Sequence, residues 1–138
     1  MTAAPMSPPL TYQARELLGS AARGLLEAYA TPEPSRRYAT AHLSALRAAA
    51  AVLAARAHPV RQGRIRSVWV LLPSVAPQLH EWAGFFAANA AKRAAADAGL
   101  PVVSQREADD LVRDAETFLM QVAAMLGVDQ QVILRDGA

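Results

Sequence analysis

The sequence predicts an all-α protein folded as an up-and-down bundle of four to five helices. Four long segments repeat apolar residues every three or four positions, which is the spacing of one helix face. Prolines and glycines fall between these segments, where they end helices. No segment alternates apolar and polar residues with the period of two that is typical of a half-buried strand.

The first helix is expected from about Thr11 to Tyr29. Gly19 and Gly24 each weaken it by up to about 1 kcal/mol relative to alanine. The turn Thr-Pro-Glu-Pro-Ser at 31–35 ends it. Residues 1–10, which are rich in proline and small side chains, are expected to form a disordered leader, so the bundle itself spans about residues 11–127.

The second helix is expected from about Ser35 to Ala57 and is rich in alanine. It carries no charge between Arg47 and Arg56, and it is apolar most of the way round. Such a helix is buried on most sides, so this one is predicted to be the central helix of the bundle. Pro59 ends it.

Two further helices are expected after a basic loop at residues 58–66. A short helix opens near Ser67, a bend follows between Pro73 and Pro77, and a longer helix runs from about Ala76 to Ala98. Pro77 fits the first turn of that longer helix, because its missing N–H has no partner to lose there. Gly99 is the expected cap at its carboxyl end.

The last helix begins with a capping box, in which Ser104 is the N-cap residue and Glu107 lies three positions later. A strong apolar stripe follows, with acidic and polar residues on the other side. Gly127 ends this helix, and residues 128–138 form a C-terminal tail.

The composition excludes several classes of chemistry. The 138 residues include no cysteine, which excludes disulfides, zinc–cysteine sites and thiol nucleophiles. The sequence also lacks a glycine-rich phosphate loop and a His-Glu-x-x-His motif, so no cofactor and no metal are expected. It shows neither a signal peptide nor the run of about 20 apolar residues that a membrane span needs. A cytoplasmic protein without a membrane partner is therefore predicted.

The charges are distributed unevenly along the chain. No acidic residue occurs between Glu33 and Glu81, a stretch that holds seven arginines. A field of one sign favours an anionic partner, such as RNA, a nucleotide or an acidic protein surface. The predicted anion-binding residues are Arg36, Arg56, Arg61, Arg64 and Arg66. The alternatives are a solvated basic loop and a charge pairing between helices or subunits.

The last helix carries the complementary acidic residues. Asp110 and Asp114 are i,i+4 neighbours that could share a cation. No histidine accompanies them, and acidic residues near the start of a helix are favoured by its dipole. A solvated face is therefore the preferred interpretation.

His42 is the most notable single residue, because it lies in the helix predicted to be central and shares a face with Tyr38. The simplest interpretation is a core or interface histidine hydrogen-bonded to the tyrosine or to the backbone. The alternative pairs it with Arg37 for RNA cleavage without metal, with histidine as acid or base and arginine stabilising the phosphorane. Five residues of helix leave the two side chains about 140° apart, so they converge only in a frayed first turn or between two subunits.

Three segments resemble a small bacterial branch of the HEPN superfamily. They begin RRYATAHLSALRAAAAVLA, SVWVLLPSVAPQLHEWAGFF and READDLVRDAETFL, and the resemblance covers about residues 10–127. It implies an up-and-down helical bundle that is usually dimeric. Members often act as metal-independent ribonucleases, as RNA-binding domains or as partners of nucleotidyltransferases.

The active motif implied by the resemblance is an arginine followed a few residues later by a histidine, just before the last helix. That region offers Arg93 and Arg106 but no histidine, and the matching spacing in this sequence is Arg37 to His42, early in the chain. The leading hypothesis is a non-catalytic domain that binds RNA, a nucleotide or a protein partner, as a homodimer. The alternatives are a metal-independent ribonuclease using Arg37 and His42, and a purely structural interaction module.

Overall fold

The computed structural model describes residues 10–56 and 67–129, which form six α-helices, one 3₁₀ turn and no strand. The helices are α1 Tyr12–Ala30, α2 Pro34–Arg56, α3 Val68–Val75, α4 His80–Ala88, α5 Ala90–Asp97 and α6 Gln105–Met125, with the 3₁₀ turn at Pro77–Leu79. The predicted all-α bundle is confirmed. Most of the predicted leader and tail, and the loop at 58–66, lie outside the described residues.

The helix starts follow from local capping chemistry. The Thr11 side chain accepts a hydrogen bond from the Ala14 N–H (3.1 Å) at the start of α1. The capping box of α6 is present as predicted: the Ser104 hydroxyl accepts from the Glu107 N–H, and the Glu107 carboxylate accepts from the Ser104 N–H, both at 3.1 Å. The first and last helices therefore begin where the sequence predicts.

Helix α2 is the central helix, because it contacts α1, α3, α5 and α6. Its small residues face the core: a buried row of alanines lets the neighbouring helices approach closely. At the crossing with α1, the Ser44 hydroxyl donates to the Ala21 carbonyl (2.6 Å) opposite Gly24. The leucine face of α2 is less buried than its alanine face, and Leu43 is exposed.

The single helix predicted for residues 76–98 is wrong. The structure divides it into the 3₁₀ turn, α4 and α5, with a break at Asn89. The Phe86 carbonyl accepts from the Asn89 N–H (3.2 Å) and from His42 Nε2 (2.9 Å). A hydrogen bond from α2 thus accompanies the tightened last turn of α4. Residue spacing within the segment 76–98 cannot indicate this contact, because His42 lies far away in the chain.

The bend predicted between Pro73 and Pro77 lies at Ala76. Helix α3 continues through Pro73 to Val75, and the chain bends at Ala76, where the backbone leaves the helical region. The Ala76 N–H still donates to the Leu72 carbonyl (2.9 Å), which closes the last turn. Because Trp69 and Leu72 are buried, their packing offsets the hydrogen bond that Pro73 cannot make.

An aromatic cluster fills the core between α2, α3, α4 and α6. Trp69 stacks on Phe86 with ring centroids 4.9 Å apart, and Phe118 packs against both rings. The edge of the His42 imidazole meets the Trp69 and Phe86 rings. This cluster fixes α4 against α6 and so sets the shape of the surface between them.

Candidate functional site

Arg37 lies at the start of α2, where its guanidinium joins three helices. Its Nε donates to the Thr31 carbonyl (2.7 Å), and one terminal nitrogen donates to the Tyr29 carbonyl (3.1 Å). The other terminal nitrogen forms an ion pair with Asp109 on α6. These carbonyls belong to the end of α1, where backbone acceptors lack helical partners. Arg37 therefore satisfies that helix end and ties it to α6.

A second contact between the end of α1 and α6 lies beside Arg37. The Tyr29 hydroxyl donates to the Glu116 carboxylate. Burial first, and then this hydrogen bond to an anion, raise the pKa of Tyr29 to about 12. The phenol is therefore a stable donor near neutral pH and holds the same two helices together.

His42 is enclosed in the core, with only 2% of its surface exposed. Its Nε2 lies 2.9 Å from the Phe86 carbonyl, and because a carbonyl only accepts, Nε2 carries the proton. Nδ1 is then an unprotonated acceptor, and it is buried without a partner among the described residues. Burial lowers the pKa of His42, Arg93 lowers it further, and the bond to Phe86 opposes both.

The structure does not bring Arg37 and His42 onto common partners. Arg37 bonds to the end of α1 and to α6, whereas His42 bonds to α4 and packs against two aromatic rings. The interpretation of His42 as a core histidine bonded to the backbone agrees with these contacts. The pairing of the two residues for RNA cleavage stays a prediction.

The predicted anion-binding arginines are also spread out. Arg36 and Arg56 are both exposed, but 20 residues of one helix separate them, or about 30 Å. Arg61, Arg64 and Arg66 lie outside the described residues. They follow Arg56, the last residue of α2, whereas Arg36 lies in the first turn of that helix.

A groove lies between α4 and α6 with a volume of about 720 Å³, within the range typical of ligand pockets. We call it the α4–α6 groove. Trp82 lies in its wall, with its ring stacked on Phe86 and the Nε1–H donating to Gln121 Oε1 (2.9 Å). Phe85, of which 38% is exposed, lies beside it. The lining residues are Gln78, His80, Glu81, Trp82, Phe85, Asp114 and Gln121.

The α4–α6 groove is negatively charged. Asp114 is half-buried, and no hydrogen bond or ion pair reaches its carboxylate from the described ranges 10–56 and 67–129. Burial, followed by the negative charge of Asp110, raises the pKa of Asp114, while Arg113 opposes the shift. Glu81 lies on the α4 side. The groove thus combines an aromatic wall with carboxylates from both helices.

A smaller hollow of about 260 Å³ adjoins the groove, sharing Phe85 and Asp114 with it. Its other lining residues are Tyr38, Asn89, Glu107, Asp110 and Leu111. Two of its carboxylates are already paired: Glu107 with Lys92, and Asp110 with Arg113 (2.6 Å). The charge available to a ligand is therefore concentrated on Asp114 and Glu81.

The sequence pattern does not reveal this groove. From the sequence, Asp114 is expected on a solvated face of the last helix. The pattern that marks the site is an aromatic pair on α4 opposite Asp114 and Gln121 on α6, and only the pairing of the two helices reveals it.

Two other kinds of site are absent from the described parts of the chain. No three His, Cys, Asp or Glu side chains there come together as metal ligands would. No helix in those parts has the length and apolar character that crossing a membrane requires.

Comparison with known proteins gives a match to a protein family. No curated protein and no solved structure is significantly similar to the chain. A family profile described as SAV_6107-like HEPN matches residues 28–123, which run from the end of α1 almost to the end of α6. This match covers more than half of the chain and all of the helices that build the groove. The chain belongs to the SAV_6107-like HEPN family.

Proposed function

We propose that this HEPN-family domain is a non-catalytic interaction module that binds a protein partner through the α4–α6 groove. The observation that carries the proposal is the groove's lining, in which the exposed ring of Phe85 and the half-buried ring of Trp82 lie beside unpaired carboxylates. Aromatic side chains are enriched where proteins bind one another.

The contacts of Arg37 and His42 support a module without catalysis. A general acid or base must reach the substrate proton within hydrogen-bond distance. His42 is enclosed by Trp69 and Phe86 and already donates to a backbone carbonyl. Arg37 makes three contacts within the fold, which leaves little of its guanidinium for a phosphate.

The charge of the groove favours a protein over a nucleic acid at this surface. RNA and nucleotides bring phosphates, which the carboxylates of Glu81 and Asp114 repel. No arginine or lysine of the described residues lines the groove. A polypeptide can instead present apolar and cationic side chains together.

Site-specific photo-crosslinking in cells tests this proposal. A photoreactive phenylalanine analogue at position 85 is expected to give a protein adduct that survives ribonuclease treatment. The matched control carries the analogue at Glu16, which is exposed on α1. Absence of an adduct at position 85, equal adducts at both positions, or an adduct that ribonuclease removes would overturn the proposal.

RNA binding through the basic segment is a second candidate, favoured by the charge asymmetry of the sequence. The segment that follows α2 carries Arg61, Arg64 and Arg66 and begins beside the exposed Arg56. Contacts to phosphates make affinity fall steeply with salt. Fluorescence anisotropy with single-stranded RNA should then show weaker binding and a smaller salt slope when the three arginines become alanine. Unchanged binding would exclude this segment.

A homodimer is the expected assembly, and a second copy of the chain is one partner that the crosslinking can detect. An adduct with twice the mass of the chain would identify it. Sedimentation equilibrium over a range of protein concentrations measures the same association directly. A mass that stays monomeric at the highest concentration contradicts the homodimer.

A further inference from the structure

We propose that the α4–α6 groove binds an arginine side chain of the partner polypeptide, with the guanidinium lying against Trp82 and paired with Asp114. This inference rests on the proposed function and deepens it, because it names the chemistry by which the partner is recognised. Three features of the groove carry it: a fixed aromatic wall, an unpaired carboxylate and a lining without arginine or lysine among the described residues.

The aromatic wall is held in place before any ligand binds. The Trp82 ring stacks on Phe86 at 19° between planes and meets the edge of Phe85, with centroids 5.7 and 5.9 Å apart. The bond from its Nε1–H to Gln121 fixes the rotation of the indole. A guanidinium stacks well on such a ring, because it is planar, positively charged and weakly hydrated. Since the ring is already fixed, little side-chain entropy is lost on binding.

The carboxylate of Asp114 supplies the charge that a guanidinium requires. It is half-buried next to Asp110, whose own carboxylate pairs with Arg113 on the exposed side of α6. Burial without a pairing cation disfavours the charged form of the Asp114 carboxylate. A cation that enters the groove would offset this cost of desolvation. Two nitrogens of one guanidinium can donate to both carboxylate oxygens while its face remains against an aromatic ring.

The surroundings favour a cation from outside the groove. Glu81 adds a second negative charge from α4, and the nearby Lys92 is already paired with Glu107. His80 is the only basic side chain lining the groove in the described part of the protein. Lysine fits less well than arginine, because an ammonium is a compact, strongly hydrated charge without a face to stack. The geometry therefore selects arginine among the cationic side chains.

Titration of the ¹⁵N-labelled protein with three blocked tripeptides tests the proposal. The peptides are acetyl-Gly-Arg-Gly-amide and its counterparts with lysine or with citrulline, the uncharged analogue of arginine. The readout is the indole N–H signal of Trp82, with the signal of the buried Trp69 as an internal reference. The arginine peptide is expected to shift the Trp82 signal in a saturable way. The citrulline peptide should bind about tenfold more weakly, because it lacks the charge.

Two matched variants locate the binding. Asp114→Asn should lower the affinity for the arginine peptide by about three- to tenfold. Circular dichroism should show that the variant is still folded. Asp97→Asn removes an exposed carboxylate from α5, outside the groove, and should leave the affinity unchanged. An unshifted Trp82 signal, equal affinity for the citrulline or lysine peptide, or equal effects of the two variants would overturn the proposal.

The two proposals fail in different ways. If the crosslink at position 85 captures a protein but the arginine peptide does not bind, the interaction module stands and the arginine site is wrong. If no protein is captured at position 85, the proposed function itself is wrong.

Discussion

Arg37 connects the end of α1, the start of α2 and α6 through one side chain. Only 18% of that side chain is exposed, so its contacts are partly protected from water. Hydrogen bonds from a partly buried charged group contribute more to stability than fully exposed ion pairs do. The role supported by these contacts is a structural clamp.

Replacing Arg37 by alanine is expected to lower the free energy of unfolding by about 1–3 kcal/mol, because two backbone carbonyls and Asp109 lose their partner. Urea denaturation followed by circular dichroism measures the loss. Arg36→Ala is the control, since the side chain of Arg36 is exposed, and it should change stability by less than about 0.5 kcal/mol. Equal effects of the two substitutions would contradict the clamp.

His42 is expected to make stability depend on pH. Because burial lowers the pKa of His42 in the folded protein below the ordinary value of 6.5, the unfolded chain binds the proton first as the pH falls. The free energy of unfolding should therefore decrease as the pH drops below about 6.5, and this loss should stop once the folded protein also binds the proton.

Denaturation at a series of pH values checks the contribution of His42. His42→Gln keeps a donor for the Phe86 carbonyl but cannot titrate, so its stability should depend less on pH than that of the wild type. His80→Gln, at an exposed position on α4, should retain the wild-type dependence. A wild-type pH dependence in His42→Gln would show that His42 does not titrate below its usual range.

The ends of the helices can be predicted from the local sequence, whereas the break between α4 and α5 cannot. The caps at Thr11 and Ser104 and the positive φ angles of Gly99 and Gly127 lie at the ends where the sequence predicts them. Helix caps are formed by residues that are close together in the chain, so the local sequence is enough to predict them. The break at Asn89 coincides with a bond from α2 to the Phe86 carbonyl of α4, and no spacing within residues 76–98 encodes that contact.

The two glycines of α1 are expected to respond differently to alanine. A Cβ at Gly19 would meet only the far end of the Arg23 side chain (3.4 Å), which can move. Gly19→Ala should therefore stabilise the protein by about 0.5–1 kcal/mol through helix propensity. A Cβ at Gly24 would lie 3.4 Å from the Ser44 Cβ and 3.7 Å from the Ser44 Cα. Gly24→Ala should therefore stabilise the protein less than Gly19→Ala does.

Thermal unfolding of the two alanine variants compares these positions directly. The expected order of stability is Gly19→Ala above Gly24→Ala. The reverse order, or a clear destabilisation by Gly19→Ala, would mean that α1 packs against α2 in a different register.

At the scale of the whole molecule, the sequence predicts the helical bundle and the central position of α2, because both follow from apolar periodicity. It also contains every residue of the α4–α6 groove. The sequence pattern does not show that these residues form one site, because Trp82 and Asp114 come together only when α4 packs against α6 around the aromatic core. The proposed docking site is therefore a property of tertiary packing, whereas the fold class is largely a property of local pattern.

The family resemblance directs attention to an arginine and a histidine, and this chain offers Arg37 and His42 at the expected spacing. In the fold, one joins three helices and the other lies in the aromatic core. The central claim is that both belong to the scaffold of an interaction module.

An RNA cleavage assay in the presence of EDTA tests this claim most directly. The purified wild type is compared with Arg37→Lys, with His42→Gln and with buffer alone on a mixture of structured and single-stranded RNAs, after circular dichroism has shown that each variant is folded. If both residues belong to the scaffold, the fraction of intact RNA is expected to be the same in all four samples. Cleavage by the wild type that is lost in the folded His42→Gln variant would contradict it.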